Sequence, residues 1–330
     1  MKLGFFTDTH IRADSPEGRT DNFRTAILTK LEECGQIWKD NKVQTVLFGG
    51  DLFHTPDVAK SVVNDVIPIF RSWNLPIIGV IGSHDYFGYQ IKSLKRTALD
   101  HFVEFGMIQL VGGGLPNIPT EIFVGEGIWI TGTHHTYWFA EDPKNCYQER
   151  LKAIQEFGGY QIQLVHGDLF NVFVPWPHIL TEQVTTESDL VLSGHIHSGW
   201  PNKVIQYGKT KFVNPGAVAR LENTGKQRIP MVNIIDVYNI KKNDKNGIAQ
   251  MDSKISFIPL TSAAPHPFKE KRREEEETIQ DTSKLIQLIA STQVDTVDIK
   301  TQLPLAAKEL NMSEEVLDRA FDFIEKANTK

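Results

Sequence analysis

The sequence predicts an α/β fold built around a mostly parallel β-sheet. Short apolar runs alternate with segments of helical periodicity over the first two-thirds of the chain. The order strand, helix, strand, helix, strand is typical of parallel strands joined by helical crossovers. Helical patterns are weaker between the later apolar runs, so one mixed sheet and a sandwich of two sheets both stay open at this point.

The individual elements follow from the spacing of the apolar side chains. These recur at helical spacing over residues 21–40 and 57–73, which predicts two amphipathic helices. Residues 230–239 and 254–260 are predicted to form an antiparallel pair. The other predicted strands are Lys2–Thr7, Val43–Phe48, Leu75–Ile81, Met107–Val111, Ile128–Thr133, Ile162–Val165 and Leu190–Leu192.

The composition is ordinary for a soluble protein, with 40% hydrophobic and 23% charged residues among 330. No apolar run approaches the roughly 20 residues that span a bilayer, and the apolar stretch at the N-terminus is too short for a signal peptide. Two cysteines, Cys34 and Cys146, fit a reducing compartment. We therefore expect a cytoplasmic protein that does not associate with a membrane.

The chain divides by composition into three parts. We predict one large domain over residues 1–268, a charged linker over 269–280 and a helical segment over 281–330. Residues 270–330 carry 9 basic and 14 acidic side chains, so most of the net charge of −6 lies in the tail. Neither part has the positive charge of a general polyanion binder. Because the helical segment is marginal as a free-standing core, we expect a partner to cover its apolar face.

Five short segments that contain Asp and His each follow a predicted strand. Ligands of α/β proteins collect just beyond the carboxyl ends of the strands, so the five segments are expected to converge on one crevice. They are Asp8-Thr9-His10, Gly49-Gly50-Asp51, Gly82-Ser83-His84-Asp85, Val165-His166-Gly167-Asp168 and Gly194-His195-Ile196-His197.

The residue types in these segments predict a metal site. A single aspartate at a strand end is commonly a helix cap, but the segments together with His54 contain six of the 11 histidines. Carboxylates mixed with imidazoles suit manganese, iron or zinc. The set offers seven or eight ligands, more than one ion needs, which predicts two ions bridged by a carboxylate such as Asp51. A histidine beside the ions, for which His84 is the candidate, would assist the leaving group.

The same segments resemble the signature of the calcineurin-like metallophosphoesterases, namely DxH, GD, GNHD, a strand-end histidine and GHxH. DTHIR, GDLFH and NPGAVARL resemble, more narrowly, the SbcD-type nucleases of DNA repair and recombination, which include bacteriophage counterparts. The resemblance covers residues 1–268. It implies a four-layer sandwich of two mixed sheets flanked by helices, here with a small C-terminal helical appendage.

The resemblance also implies a role for each motif residue. His84 is implied to be the acid or transition-state stabiliser beside the scissile phosphate, and Asp85 either orients His84 or caps the turn. His54, just past the bridging aspartate, is a candidate substrate-binding residue. The implied metal ligands are Asp8, His10 and His197 for one ion, Ser83, His166 and His195 for the other, and Asp51 for both.

Ser83 departs from the pattern, because the family has an asparagine there whose carbonyl oxygen binds the second ion. The serine hydroxyl is a shorter and weaker ligand. Three interpretations stay open: an active enzyme with a weak second site, an enzyme activated by its partner, and an inactive variant. Presence of the other ligands and of His84 favours an active enzyme.

Residues beside the segments have simpler interpretations. His134 and His135 either line the substrate groove or belong to a loop closed by an aromatic plug that includes Tyr137 and Trp138, and we favour the loop. Asp168 is expected only to hold a turn.

The resemblance implies a nuclease subunit that hydrolyses DNA phosphodiesters with Mn²⁺. It would bind an SbcC-type coiled-coil ATPase through residues 281–330 and form a homodimer, for which residues 57–72 and 88–105 are candidates. For a bacteriophage protein the compartment would be the host cytoplasm. The alternatives are a small-molecule phosphodiesterase or phosphatase, and a scaffold subunit whose metal site Ser83 has weakened.

We expect Ser83→Asn to tighten metal binding and to raise turnover at limiting Mn²⁺, because the amide restores the missing oxygen ligand. A titration of hydrolysis against Mn²⁺ measures this change. If the rate of hydrolysis depends on Mn²⁺ in the same way in the variant and in wild type, the prediction is wrong.

Overall fold

The computed structural model describes residues 1–88, 90–222, 228–241, 250–263 and 267–268. One compact unit comprises Met1–Phe173 and Pro177–Lys269, and all elements below belong to it. The second unit comprises Val174–Trp176 and Glu270–Lys330. The predicted linker and the predicted helical appendage therefore lie outside the described residues, and the three-part division of the chain stays a prediction.

Within the described ranges the chain forms fourteen strands and four α-helices. The strands are β1 (Lys2–Phe6), β2 (Thr45–Phe48), β3 (Ile77–Gly79), β4 (Gln109–Leu110), β5 (Glu121–Gly125), β6 (Ile128–Thr133), β7 (Tyr160–His166), β8 (Leu169–Phe170), β9 (Ile179–Leu180), β10 (Leu190–Gly194), β11 (Ile205–Tyr207), β12 (Thr210–Val213), β13 (Met231–Lys241) and β14 (Gln250–Pro259). The helices are α1 (Phe23–Asn41), α2 (Lys60–Trp73), α3 (Ala98–Glu104) and α4 (Lys152–Phe157). Short 3₁₀ turns cover Ile91–Arg96, Phe139–Glu141, Pro143–Cys146 and Thr181–Gln183.

Twelve of these strands form two six-stranded mixed sheets. The first has the order β14-β13-β1-β2-β3-β4, in which β1 to β4 run parallel and β13 pairs antiparallel with both neighbours. The second has the order β11-β12-β10-β7-β6-β5, in which the four central strands run parallel and the two edge strands antiparallel. The remaining strands, β8 and β9, form a separate parallel pair.

The buried side chains show that the two sheets pack face to face. Leu3 and Phe5 of β1 share one apolar cluster with Ile162 and Leu164 of β7. Phe6, which points to the opposite face because side chains alternate along a strand, belongs to the cluster beneath α1, α2 and α3. The outer face of the second sheet is covered by the short helical turns and the β8–β9 pair. The predicted four-layer sandwich of two mixed sheets is thus confirmed.

Helix α1 shows why the periodic segments form helices. The Asn22 side chain accepts a hydrogen bond from the Thr25 amide at 3.0 Å and so caps the first turn. The helix ends at Lys42, which has a left-handed backbone with φ of 57°. Its apolar stripe ends in Trp38, whose ring lies 6.3 Å from that of Trp73 on α2. Among the described helices none is long and apolar enough to cross a membrane.

Several short strands were not predicted from the sequence. The side chains of β5 and β11 are partly or fully exposed, and neither strand has an apolar run longer than three residues. Strands β8 and β9 have two residues each, too few for any periodicity.

Lys30 on α1 is an unusual member of the core. Its side chain is buried, and Nζ donates a hydrogen bond to the Val218 carbonyl at 3.0 Å. Burial, followed by the positive charges of Arg220 and Arg19, lowers the pKa of Lys30 to about 7. The charged form of Lys30 therefore opposes folding at neutral pH.

We expect Lys30→Met to raise the free energy of unfolding at pH 7. The folded pKa of Lys30 lies below its ordinary value of 10.5, so the unfolded chain binds the additional proton between about pH 7 and 10 and wild-type stability rises with pH there. The gain from the variant is therefore largest at pH 7 and shrinks toward pH 10 in urea unfolding. Lys39→Met, an exposed change on the same helix, is the control. A gain that stays constant with pH would contradict the assignment.

Candidate metal centre

All five predicted segments lie at the carboxyl ends of parallel strands. Three follow β1, β2 and β3, neighbours in the first sheet, and two follow β7 and β10, neighbours in the second. Backbone and side-chain hydrogen bonds join them. The Asp8 amide donates to the Gly50 carbonyl at 3.0 Å, and the His195 amide donates to both oxygens of the Asp8 carboxylate at 3.1 Å. The expected convergence of the segments is present.

The backbone at this junction is strained. Asp8, His10, Asp51 and His195 have positive φ angles of 54°, 43°, 57° and 78°, which non-glycine residues rarely adopt. Such conformations persist at functional sites, where the surrounding structure holds them in place. All four residues belong to the predicted ligand set. Gly50, with φ of 99°, must be glycine because a Cβ atom would lie 2.5 Å from His166 Nδ1.

The first ligand group comprises Asp8, His10 and His197. One donor atom from each lies within 4.8 Å of the others. His10 Nε2 is 2.8 Å from His197 Nε2, 3.7 Å from Asp8 Oδ1 and 3.6 Å from Asp51 Oδ2. Two imidazole nitrogens and two carboxylates thus point at one small volume, as ligands of a shared cation do. These are the three residues that the resemblance assigned to one ion.

The second ligand group comprises Asp51, His166 and His195, again with donor atoms within 4.8 Å. His166 Nδ1 donates to the Gly49 carbonyl at 2.6 Å, which leaves the lone pair of Nε2 free to bind a cation. His166 Nε2 is buried, lies 3.2 Å from Asp51 Oδ2 and makes no hydrogen bond. A buried imidazole nitrogen directed at a carboxylate fits a metal ligand.

The electrostatics of the centre favour positive charge. Asp8 and Asp51 are 0% and 1% exposed. Burial raises the pKa of Asp8, but His10, His166 and His197 outweigh burial and lower the pKa to about 2. The pKa of Asp51 also lies well below its usual range, chiefly because of His166. Burial lowers the pKa of His166, yet the two carboxylates raise it to about 10. Two buried ionised carboxylates need compensating cations, so the donor set fits divalent ions.

Ser83 lies where the resemblance assigned it, beside the bridging carboxylate. Its hydroxyl donates a hydrogen bond to Asp51 Oδ2 at 3.2 Å, and the His84 amide donates to Asp51 Oδ1 at 2.7 Å. The serine thus contacts the candidate bridging ligand.

His84 and His54 form a stacked pair at the edge of the centre. Their rings lie 5.1 Å apart at 23°, and His84 Nδ1 donates to the His54 carbonyl at 2.6 Å. The His84 ring is 4.7 Å from that of His10. Nitrogens of these three histidines also lie within 4.8 Å of one another. His84 therefore adjoins the first ligand group, and His54 holds its ring.

The Asp85 side chain binds backbone amides rather than the His84 ring. Its buried carboxylate accepts hydrogen bonds from the amides of Asp51 and Gly82 at 2.8 Å and from that of Leu52 at 3.0 Å. His84 directs its Nδ1 to His54 instead. The sequence left two roles open for Asp85, orienting His84 and capping the turn, and the geometry matches capping of the turn. The carboxylate joins the β2 and β3 loops and so positions Asp51.

Two residues at the centre were not among the predicted site residues, since Asp168 was expected only to hold a turn and His135 to belong to a loop. Asp168 Oδ1 lies 3.3 Å from His195 Nε2, and the His135 ring lies 5.0 Å from the His195 ring. Only their positions in the sequence pointed to the site, since Asp168 ends the His166 segment and His135 follows β6. His134 differs, because its Nδ1 accepts a hydrogen bond from the Ile81 amide at 3.0 Å within the core.

The aromatic loop after His135 is also only partly a plug. Phe139 is buried against the second sheet, whereas Tyr137 and Trp138 are 59% and 60% exposed.

A sandwich whose strand ends bring together buried carboxylates and imidazoles defines a class of metal-dependent hydrolases. The sequence model of the calcineurin-like phosphoesterase superfamily domain matches residues 1–237. The chain belongs to this superfamily, whose members hydrolyse phosphate esters with bound metal ions. The curated proteins contain no significant match to the sequence.

Solved structures of phosphoesterases are similar to the chain at low sequence identity. An archaeal phosphodiesterase is 18% identical, covering 77% of this chain and 100% of its own, with a TM-score of 0.35. The calcineurin-like phosphoesterase YfkN from Bacillus subtilis is 16% identical, with coverages of 88% and 98% and a TM-score of 0.45. A dimetal phosphatase from Danio rerio is 11% identical, with coverages of 79% and 99% and a TM-score of 0.46. These similarities are too low to indicate a substrate.

We expect Asp85→Ala to lower the free energy of unfolding by at least about 3 kcal/mol, since each of three buried amides left without an acceptor costs about 1–3 kcal/mol. Urea unfolding in excess chelator measures this loss without any contribution from bound metal. Asp142→Ala is the matched control, because Asp142 accepts one amide hydrogen bond, from Lys144, at an exposed turn. Equal losses in the two variants would show that Asp85 does not hold the loops together.

Proposed function

We propose that the protein is a metal-dependent phosphodiesterase that cleaves DNA, with Mn²⁺ as the native ion. The observation that carries the proposal is the pair of adjoining ligand groups, Asp8, His10 and His197 beside Asp51, His166 and His195, with His84 next to them. A pair of ions at such a site activates a water molecule for attack on phosphorus and neutralises the phosphate oxygens.

The side chains around the ions have separate tasks in this proposal. Asp51 would be the ligand shared by both ions, because its Oδ2 lies near both His10 and His166, at 3.6 and 3.2 Å. His84 acts on the substrate. Its Nδ1 donates to the His54 carbonyl, so Nε2 is the nitrogen that faces the substrate, and in the imidazolium form of the ring it would donate its proton or a hydrogen bond to the departing alkoxide. His54 then acts mainly by fixing the His84 ring rather than by a contact to substrate.

DNA is the proposed substrate for two reasons. DTHIR, GDLFH and NPGAVARL resemble the SbcD-type nucleases. In addition, Tyr137 and Trp138 expose their rings two and three residues after His135, whose own ring adjoins that of His195. Exposed aromatic rings on the loop that carries His135 suit stacking of unpaired bases, which favours single-stranded DNA.

The proposed partner is an SbcC-type coiled-coil ATPase that binds residues 281–330, with a second copy of the chain completing a dimer. Support comes from the acidic, apolar-faced tail, because an acidic segment suits docking to protein better than docking to DNA. We place the reaction in the cytoplasm, which is the host cytoplasm for a bacteriophage protein. Cys34 and Cys146 are both buried free thiols, consistent with a reducing compartment.

The competing candidate is a phosphodiesterase or phosphatase for small molecules. The nearly neutral charge of residues 1–269 suits such a substrate, and the metal centre would serve it equally well. A metal-weakened scaffold is the less favoured alternative, because each ligand group brings together three donor residues other than Ser83.

We expect the protein with Mn²⁺ to cleave linear single-stranded DNA and bis-p-nitrophenyl phosphate. Trp138→Ala should slow DNA cleavage by roughly tenfold, since base stacking on an aromatic ring is worth about 1–3 kcal/mol, and should leave the base-free substrate unaffected. Phe157→Ala removes another exposed ring, from α4, and is the control. Cleavage of the small substrate alone, even with the ATPase present, would end the DNA proposal.

A further inference from the structure

A third cluster of donor atoms adjoins the second ligand group on the side of His195. His135, Asp168 and His195 each offer one donor atom within 4.8 Å of the others. The cluster shares His195 with the group formed by Asp51 and His166. The His135 ring also lies 6.0 Å from the His166 ring, so it faces both histidines of that group.

We propose that Asp168 supplies a carboxylate ligand to the ion held by Asp51, His166 and His195, with His135 beside it, in place of the amide oxygen that Ser83 cannot provide. The inference rests on the two-ion centre of the proposed function, but not on its substrate.

The positions of the two residues are fixed by their surroundings. Asp168 follows His166 by two residues and its backbone carbonyl accepts the Ile179 amide at 2.8 Å, so the loop between β7 and β9 is held in register. His135 is buried, and its Nδ1 lies 3.1 Å from the Tyr86 hydroxyl, which also donates to the His135 carbonyl at 2.9 Å. Nε2 is therefore the ring nitrogen that faces the cluster. A hydroxyl that orients an imidazole in this way is typical of residues around metal ligands.

Ser83 explains why an additional ligand is needed. Its hydroxyl donates to Asp51 Oδ2, so it acts as a hydrogen-bond donor to the candidate bridge. Without an amide oxygen the second group has one carboxylate and two imidazoles, and that carboxylate is shared with the first group. Asp168 adds an anionic oxygen, which Mn²⁺ binds more strongly than a neutral hydroxyl. It also adds a negative charge to balance a second dication.

Asp168 could instead act only through His195, as a hydrogen-bond acceptor that orients its ring. The two roles respond differently to a restored asparagine at position 83. If Asp168 is a replacement ligand, then Ser83→Asn makes it dispensable. If Asp168 only orients His195, the requirement for it persists whichever residue occupies position 83.

The test is calorimetric titration of Mn²⁺ into chelator-treated full-length protein, with electron paramagnetic resonance to detect the coupled ion pair. We expect wild type to bind two ions, and Asp168→Ala, which removes the side-chain oxygens, to weaken the second by at least about tenfold, the size of effect that loss of a supporting group already produces. The first ion should keep its affinity. In Ser83→Asn/Asp168→Ala the second ion should return to within about threefold of wild type, an expectation from ligand replacement.

Glu141→Gln, which neutralises an exposed carboxylate on the loop after His135, is the matched control and should change neither affinity. Asp168→Ser serves as the second variant if thermal unfolding shows that alanine at this position disturbs the fold. Undiminished second-ion binding in the Asp168 variants, or no recovery in the double variant, overturns the inference and leaves the proposed function standing. Fewer than two ions in wild type overturns both.

Discussion

Two buried carboxylates, those of Asp8 and Asp51, stand at the ends of neighbouring parallel strands, and the rest of the centre compensates for their charge. Isolated burial of two ionised groups would cost several kcal/mol each. Here the His195 and His84 amides donate to them, and the imidazoles of His10 and His166 surround them. The low pKa of both carboxyls and the high pKa of His166 express one property, a pocket arranged for positive charge.

The loops that carry the candidate ligands approach one another closely, and the resulting backbone strain lies within the loops themselves. Four candidate ligands adopt left-handed backbone conformations, which turn the chain sharply as it leaves each strand. Gly82 has no Cβ, and a Cβ there would collide with Asp51 Oδ1. Asp85 then ties this loop to the backbone of Asp51 and Leu52. Because the strained loops are bonded to each other, the donor atoms are positioned before any ion binds, and such preorganisation supports both affinity and catalysis.

Much of this arrangement could be predicted from the sequence, for identifiable reasons. Strands β1, β2 and β3 are buried on both faces, so they read as continuous apolar runs, and their motifs mark where they end. The candidate segments followed from those ends, whereas the family resemblance supplied the assignment of ligands to each ion. Exposed or very short strands such as β5 and β8 carry no comparable pattern.

The contributions of single residues were harder to predict, because they depend on distances through space. Asp85 was identified, but its acceptance of three amides depends on how two loops meet. His135 and Asp168 are 33 positions apart and adjoin His195 only because β6, β7 and β10 are neighbours in one sheet. The Ser83 substitution was visible at once, whereas its hydrogen bond to Asp51 was not.

The central claim is that one chain holds two divalent ions that share Asp51. Anomalous diffraction from a crystal soaked in Mn²⁺ tests it most directly. The account predicts two peaks about 3.5–4 Å apart, one contacted by Asp8, His10 and His197 and the other by His166 and His195, with Asp51 between them. A single peak, or two peaks without a shared Asp51, would contradict it.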